Sequence, residues 1–180
     1  SKGHSCSIAA INDTYIEGIR LEETQESDRP TVLRLPDTLP WPARINELNR
    51  IIQKLKPTAI SWQFVIYGYH PKGLPFTLVK QVKRMHTPSE CKRHLMLHEL
   101  WIGQTERASL SHRIYGCFQK HLILKLIQHF RPTTITTNTA PYQDILMKEE
   151  IRAERLPLFS NIPKSDHSSL ATSAAASFVD

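Results

Sequence analysis

An α/β fold with a mainly parallel sheet is predicted for this chain by three observations. Short runs rich in β-branched residues recur along it, and longer segments of helical period lie between them. Gly, Pro and Asn-Asp punctuation separates the two kinds of segment. Strands that alternate with helices build a mainly parallel sheet with flanking helices.

Taken in chain order, Ser7–Ile11 is a short apolar run that ends at the turn signal Asn12-Asp13. Thr31–Leu35 reads as a second strand between Pro30 and Pro36. Ile45, Leu48, Ile52 and Leu55 then recur at helical spacing, with Pro42 placed for a first turn. Thr58–Val65 is a third strand. Leu78, Val82 and Met85 mark a helix after Pro75, and His94–His98 is a fourth strand. The longest helix is expected from Ser109 to Phe130, with the stripe Leu110, Ile114, Cys117, Phe118, Leu122, Leu126 and Phe130, stopped by Pro132. Thr133–Thr137 is a fifth strand, Tyr142–Glu150 a short helix, and Ala153–Leu158 a weaker sixth strand. No internal repeat is present.

The composition sets bounds on function. The 180 residues are 40% hydrophobic and 22% charged, as in a soluble globular protein with room for a sizeable core. No apolar run reaches the ~18 residues of a membrane span. Ser1–Ser5 lack the apolar centre of a secretory signal. Three scattered cysteines, Cys6, Cys91 and Cys117, do not make a disulfide framework and point to a reducing, cytoplasmic setting. A net charge of +6, spread without blocks, implies mild attraction to phosphates or anionic surfaces and only weakly favours nucleic acid. Residues 1–163 are expected to form an incomplete Rossmann-like domain, because the chain opens almost directly into a strand. Residues 164–180, in which ten of the 16 from Ser165 onward are Ser, Ala or Thr, read as a linker or disordered tail.

Several chemistries are excluded by their motifs. His98-Glu99 opens like a zinc-protease helix, but position 102 is Ile where the second His is required. Cys91, His94 and His98 lack an evident fourth ligand, so no metal is expected. There is no Gly-x-Ser-x-Gly elbow, no Gly-x-Gly-x-x-Gly and no P-loop. Cys117 reads as an inert core thiol.

Ligands of parallel sheets sit outside the carboxyl ends of the strands. At those ends lie Gln63, His70, His98, Glu99, Trp101, Arg107, Asn138, Tyr142 and Asn161. His98, ending a strand beside a carboxylate and a Trp, is the best placed for a site role. Turn or cap hydrogen bonding is the competing reading for Gln63, His70, Asn138 and Asn161. Core packing competes with ligand stacking for Trp62 and Trp101.

Thr58–Pro75 (TAISWQFVIYGYHPKGLP), His94–Gly103 (HLMLHELWIG) and Leu156–Pro163 (LPLFSNIP), in this order, resemble the N-terminal half of bacterial glycosyltransferases of the group 1, family 4-like type. His4–Asp13 and Val32–Leu35 resemble that family's early strands, so the likeness spans about Lys2 to Pro163. It implies the N-terminal half of a GT-B architecture, two Rossmann-like domains across a cleft. The implied reaction is transfer of a sugar from a nucleotide-sugar, a co-substrate rather than a cofactor, to a glycan, lipid or small-molecule acceptor. The resemblance assigns His98 a catalytic place against the reacting sugar. It sets Gln63, His70, Glu99 and Arg107 on the acceptor side, and Asn138 with Tyr142 on the cleft wall. Trp101 and Asn161 complete the expected substrate-binding set. The family's first strand with its glycine-containing loop, and its C-terminal donor domain with paired glutamates, have no counterpart here. This chain is therefore expected to be inactive alone. The resemblance also implies a cytoplasmic protein, either free or in peripheral contact with a membrane. The alternative is a non-catalytic Rossmann-like binding or scaffold module. Nucleic-acid binding ranks last, because no aromatic-basic motif supports it.

Overall fold

The computed structural model describes residues 3, 5–22, 30–105 and 107–156. The tail at 164–180, Asn161 and most of the Leu156–Pro163 segment lie outside them.

The elements in order are β1 (Ser7–Asp13), β2 (Arg20–Glu22), β3 (Thr31–Pro36), α1 (Trp41–Leu55), β4 (Ala59–Phe64), α2 (Phe76–Val82), β5 (Lys92–Leu97), α3 (Leu110–Phe130), β6 (Thr134–Thr137), α4 (Ala140–Lys148) and β7 (Glu154–Arg155). A turn of 3₁₀ helix at Ile66–Gly68 follows β4. The helix ends follow local chemistry. Pro42 and Pro141 occupy first turns, where a missing N–H costs nothing. Ser109 and Thr139 cap α3 and α4 by accepting from the His112 and Tyr142 amides. Lys56 and Arg131 turn left-handed at the ends of α1 and α3, and each is followed by a proline that cannot continue the helix.

The α/β class is observed, with four parallel strand pairings and one antiparallel, β2 with β3. The strands form two hydrogen-bonded sheets, β1-β3-β2 and the all-parallel β4-β5-β6-β7. A groove lined by Ala9–Asn12, Gln63, Val65, Gly68 and Tyr69 separates β1 from β4. The Asn12 side chain crosses it, donating to the Gly68 carbonyl at 2.8 Å. Arg44, buried on α1, donates to the Ile11 carbonyl and to the carbonyls of Asp37 and Leu39. It thereby ties the end of β1 to the loop before α1.

In the larger sheet the pairing rows Trp62–Leu95–Ile135 and Phe64–Leu97–Thr137 share one face. Their apolar members pack on Leu78, Val79 and Val82 of α2, on Leu122, Ile123, Leu126 and Phe130 of α3, and on Leu146 of α4. Trp62 sits in an aromatic cluster with Phe64, Tyr69 and Phe130 and donates to the Tyr69 hydroxyl. Of its two expected roles, core packing is the one observed.

Several expectations need correction. β2 was not expected. Three residues carry too little pattern, and the strand exists through its pairing with β3 and the Arg34 bridges to Asp13 and Glu22. Met85 lies beyond the end of α2, and Leu55 is exposed on α1. The expected α3 stripe holds in its second half and fails in its first. Leu110 is 75% exposed, Ile114 51% and Phe118 51%. Cys117 is also exposed, so it is not a core thiol. The buried positions there are Gly116 and Gln119, because the helix lies against the Ile102–Gly103 backbone. A Cβ on Gly116 would come within 1.9 Å of the Ile102 carbonyl oxygen.

Candidate functional site

The other face of β4-β5-β6 carries Ser61 and Gln63 on β4, His94 and Met96 on β5, Thr136 on β6 and, just past β5, His98. These side chains form one continuous hydrogen-bond chain, and the donor inventory gives it a direction. The Gln63 amide nitrogen donates to Ser61 Oγ at 2.8 Å. Gln63 Oε1 can only accept, so His98 Nε2 carries the proton in their 2.8 Å bond. Ser61 then donates to His94 Nδ1 (2.8 Å), and His94 Nε2 donates to Thr136 Oγ1 (2.8 Å). Thr136 ends the chain by donating to Met96 Sδ. His98 is thereby held in the Nε2–H tautomer, and its Nδ1 has no partner among the described residues. Burial pushes the His94 imidazole below its ordinary value, with nearby Glu154 opposing.

Two buried oxygens without partners lie at the same carboxyl end of the sheet. Glu99 Oε2 is two residues past β5, and Asn138 Oδ1 is one residue past β6. Leaving such an acceptor unsatisfied costs about 1–3 kcal/mol, and because neither atom exposes surface a ligand's donor reaches them only once their side chains turn. The third such atom, Arg93 Nε, belongs to the opposite end of β5.

The loops framing this end are held by Gln119, which is fully buried on α3. Its Oε1 accepts from the Ile102 amide at 3.0 Å, and its Nε2 donates to the Tyr67 hydroxyl and the Lys72 carbonyl. The segments after β4 and after β5 thus share one anchor. Gly73 makes room for it with φ +62°, since a Cβ there would lie 2.5 Å from Gln119 Nε2.

The structure joins Gln63 directly to His98 and places Glu99 and Asn138 at the same sheet end. The other expected residues divide. His70 is a turn residue, its Nδ1 accepting from the Lys72 and Leu74 amides. Trp101 is half-buried with Lys120 Nζ 5.8 Å from its ring centre, and that lysine also pairs with Glu149. Arg107 is exposed on the loop before α3, and Tyr142 packs half-buried against the core from α4. Asn161 lies outside the described residues. Sequence reasoning missed Ser61, Thr136, Gln119 and Arg44, and weighed His94 only as a metal ligand. The one available signal was a polar residue at a helix position in line with Ile123 and Leu126, which marks Gln119.

No group of three or more His, Cys, Asp or Glu side chains that could hold a metal occurs among the described residues. No helix among them is long and apolar enough to cross a membrane. No protein-family model, curated protein or solved structure matches the chain significantly.

Proposed function

We propose that this chain is the acceptor-side domain of a nucleotide-sugar-dependent glycosyltransferase, with the carboxyl end of β4-β5-β6 as its sugar-binding wall. The reading rests on the resemblance of Thr58–Pro75 and His94–Gly103 to that family, and one observation supports it. The oriented His98 imidazole, with Nδ1 unpartnered, stands at the same sheet end as the unpaired oxygens of Glu99 and Asn138. A polyhydroxylated ligand carries a hydroxyl proton that Nδ1 can accept, and donors for both oxygens once the buried Glu99 and Asn138 side chains turn towards it. Gln63 acts through His98 as a positioning residue. The nucleotide leaving group would be stabilised by a donor-binding domain outside these residues.

The second reading is a non-catalytic Rossmann-like binding or scaffold module. It is favoured by the exposed apolar row on the first half of α3, which suits a contact surface.

Saturation-transfer NMR of the 180-residue chain against a panel of methyl glycosides and UDP-sugars separates the two. The expected result is saccharide binding that weakens roughly tenfold in Glu99→Gln and also falls in His98→Ala, the loss of a hydrogen bond to a charged group being of that order. Binding that ignores both substitutions, or no saccharide signal at all, removes the glycosyl reading and leaves the module.

A further inference from the structure

The unpartnered atoms at the carboxyl end of the sheet, His98 Nδ1, Glu99 Oε2 and Asn138 Oδ1, are all hydrogen-bond acceptors. One aimed donor stands at the same end, on the turn of 3₁₀ helix after β4. The main chain brings it there, because the His98 amide donates to the Phe64 carbonyl at 3.2 Å, three residues before Tyr67. Tyr67 is 40% exposed, and its hydroxyl is oriented from behind by the fully buried Gln119. The orientation follows from the partners. The Ile102 amide can only donate, so Gln119 turns Oε1 to it, and the Lys72 carbonyl can only accept, so Nε2 faces that way. Nε2 therefore donates to the Tyr67 hydroxyl oxygen at 3.1 Å, which leaves the phenol proton over. That proton has no acceptor among the described residues. The fit leaves little play. A Cβ on Gly73 would lie 2.5 Å from Gln119 Nε2 and 3.1 Å from Tyr67 Cε1, so the phenol and the amide meet only because position 73 is glycine.

We propose that Tyr67 binds the saccharide by donating its phenol proton to an oxygen that can only accept, a ring or glycosidic oxygen, with Gln119 as its positioning residue. The proposal rests on the glycosyl reading and deepens it. His98 Nδ1 accepts from a sugar hydroxyl, and Tyr67 supplies the bond of opposite sense, so the two together fix which way round the sugar lies. A buried amide whose every hydrogen bond goes to two loops and one phenol is the kind of support that holds a ligand-facing group in place.

The test is saturation-transfer NMR titration of the full chain with the panel of methyl glycosides, which carry no phosphate. Tyr67→Phe removes only the hydroxyl and should weaken binding roughly fivefold, the loss of one uncharged hydrogen bond. Gln119→Glu keeps an acceptor for the Ile102 amide and offers the phenol a carboxylate oxygen, which turns the Tyr67 proton inward. At about pH 8.5, where that carboxyl is ionised, binding should weaken by the same factor. In the double variant the two losses should not add, because both remove the same bond. Circular dichroism and melting curves establish that each variant is folded, and Tyr67→Phe alone decides the proposal if Gln119→Glu is not. The proposal is overturned, with the glycosyl reading left standing, if Tyr67→Phe binds methyl glycosides as the parent does while His98→Ala still weakens them. Losses that add in a folded double variant remove Gln119 as the positioning residue. A parent chain that binds no saccharide overturns the glycosyl reading and the proposal with it.

Discussion

The two faces of the four-stranded sheet are built from alternating residues of the same strands. Along β4, Ser61 and Gln63 are exposed while Trp62 and Phe64 are buried, and β5 sends His94 one way and Leu95 and Leu97 the other. The apolar face is held by α2, α3 and α4, where burial is non-directional and each side chain touches several others. The polar face is held by five hydrogen bonds in series, from His98 through Gln63, Ser61, His94 and Thr136 to Met96. The first arrangement supplies stability. The second supplies orientation, because a directed chain specifies which nitrogen of each imidazole carries a proton. A fold can therefore keep a chemically poised histidine one residue beyond its best-packed strand.

The largest expected effect that tests this contrast is on the apolar face. Leu97→Ala removes a fully buried side chain and should lower unfolding stability by about 2–5 kcal/mol, read from urea denaturation. The hydrogen-bonded polar residues on the other face should keep their environment in that variant. A loss below about 1 kcal/mol would mean that the two faces do not divide stability as described.

A smaller, pH-dependent effect is expected at His94. Its folded-state value is lowered by burial, so the unfolded chain binds more protons as pH falls through the ordinary histidine range near 6.5. Stability contributed by the neutral imidazole is present above that range and is lost on acidification. The urea midpoint should fall between about pH 7.5 and pH 5.5, and His94→Gln should diminish the fall. An undiminished fall in the variant would place the titration elsewhere.

The smallest stability effect is expected for Gln63→Ala. Its side chain is exposed, so stability should change by no more than about 0.5 kcal/mol. The His98 nitrogen resonances, however, should shift from a single Nε2–H tautomer towards a mixture, because the acceptor that selects it is gone. An unchanged tautomer would show that Gln63 does not position His98.

Much of the fold was legible in the sequence. The ends of α1 and α3 carry their own signals, in Pro42, Ser109 and Pro132, and the strands announce themselves by β-branched runs. The short β2 was illegible because a three-residue strand has no period of its own. The first half of α3 misled for a different reason. Leu110, Ile114 and Phe118 have the spacing of a core stripe, and spacing says which residues share a face, not what that face meets. Within the site, the carboxyl-end rule located Gln63, His98, Glu99 and Asn138. It had no means of finding Ser61, His94 and Thr136, which precede the strand ends.

The sequence by itself determined the order and type of the elements apart from β2, and the end of the sheet at which polar groups collect, because capping, proline and side-chain alternation act over a few residues. Tertiary structure decided which of those groups meet. The register that sets Ser61 beside His94, and His94 near Thr136, joins segments 33 and 42 residues apart. It likewise turned Gln119 inward to the two segments after β4 and β5 and left Phe118 outside, since burial depends on what packs against a helix and no local pattern encodes that neighbour.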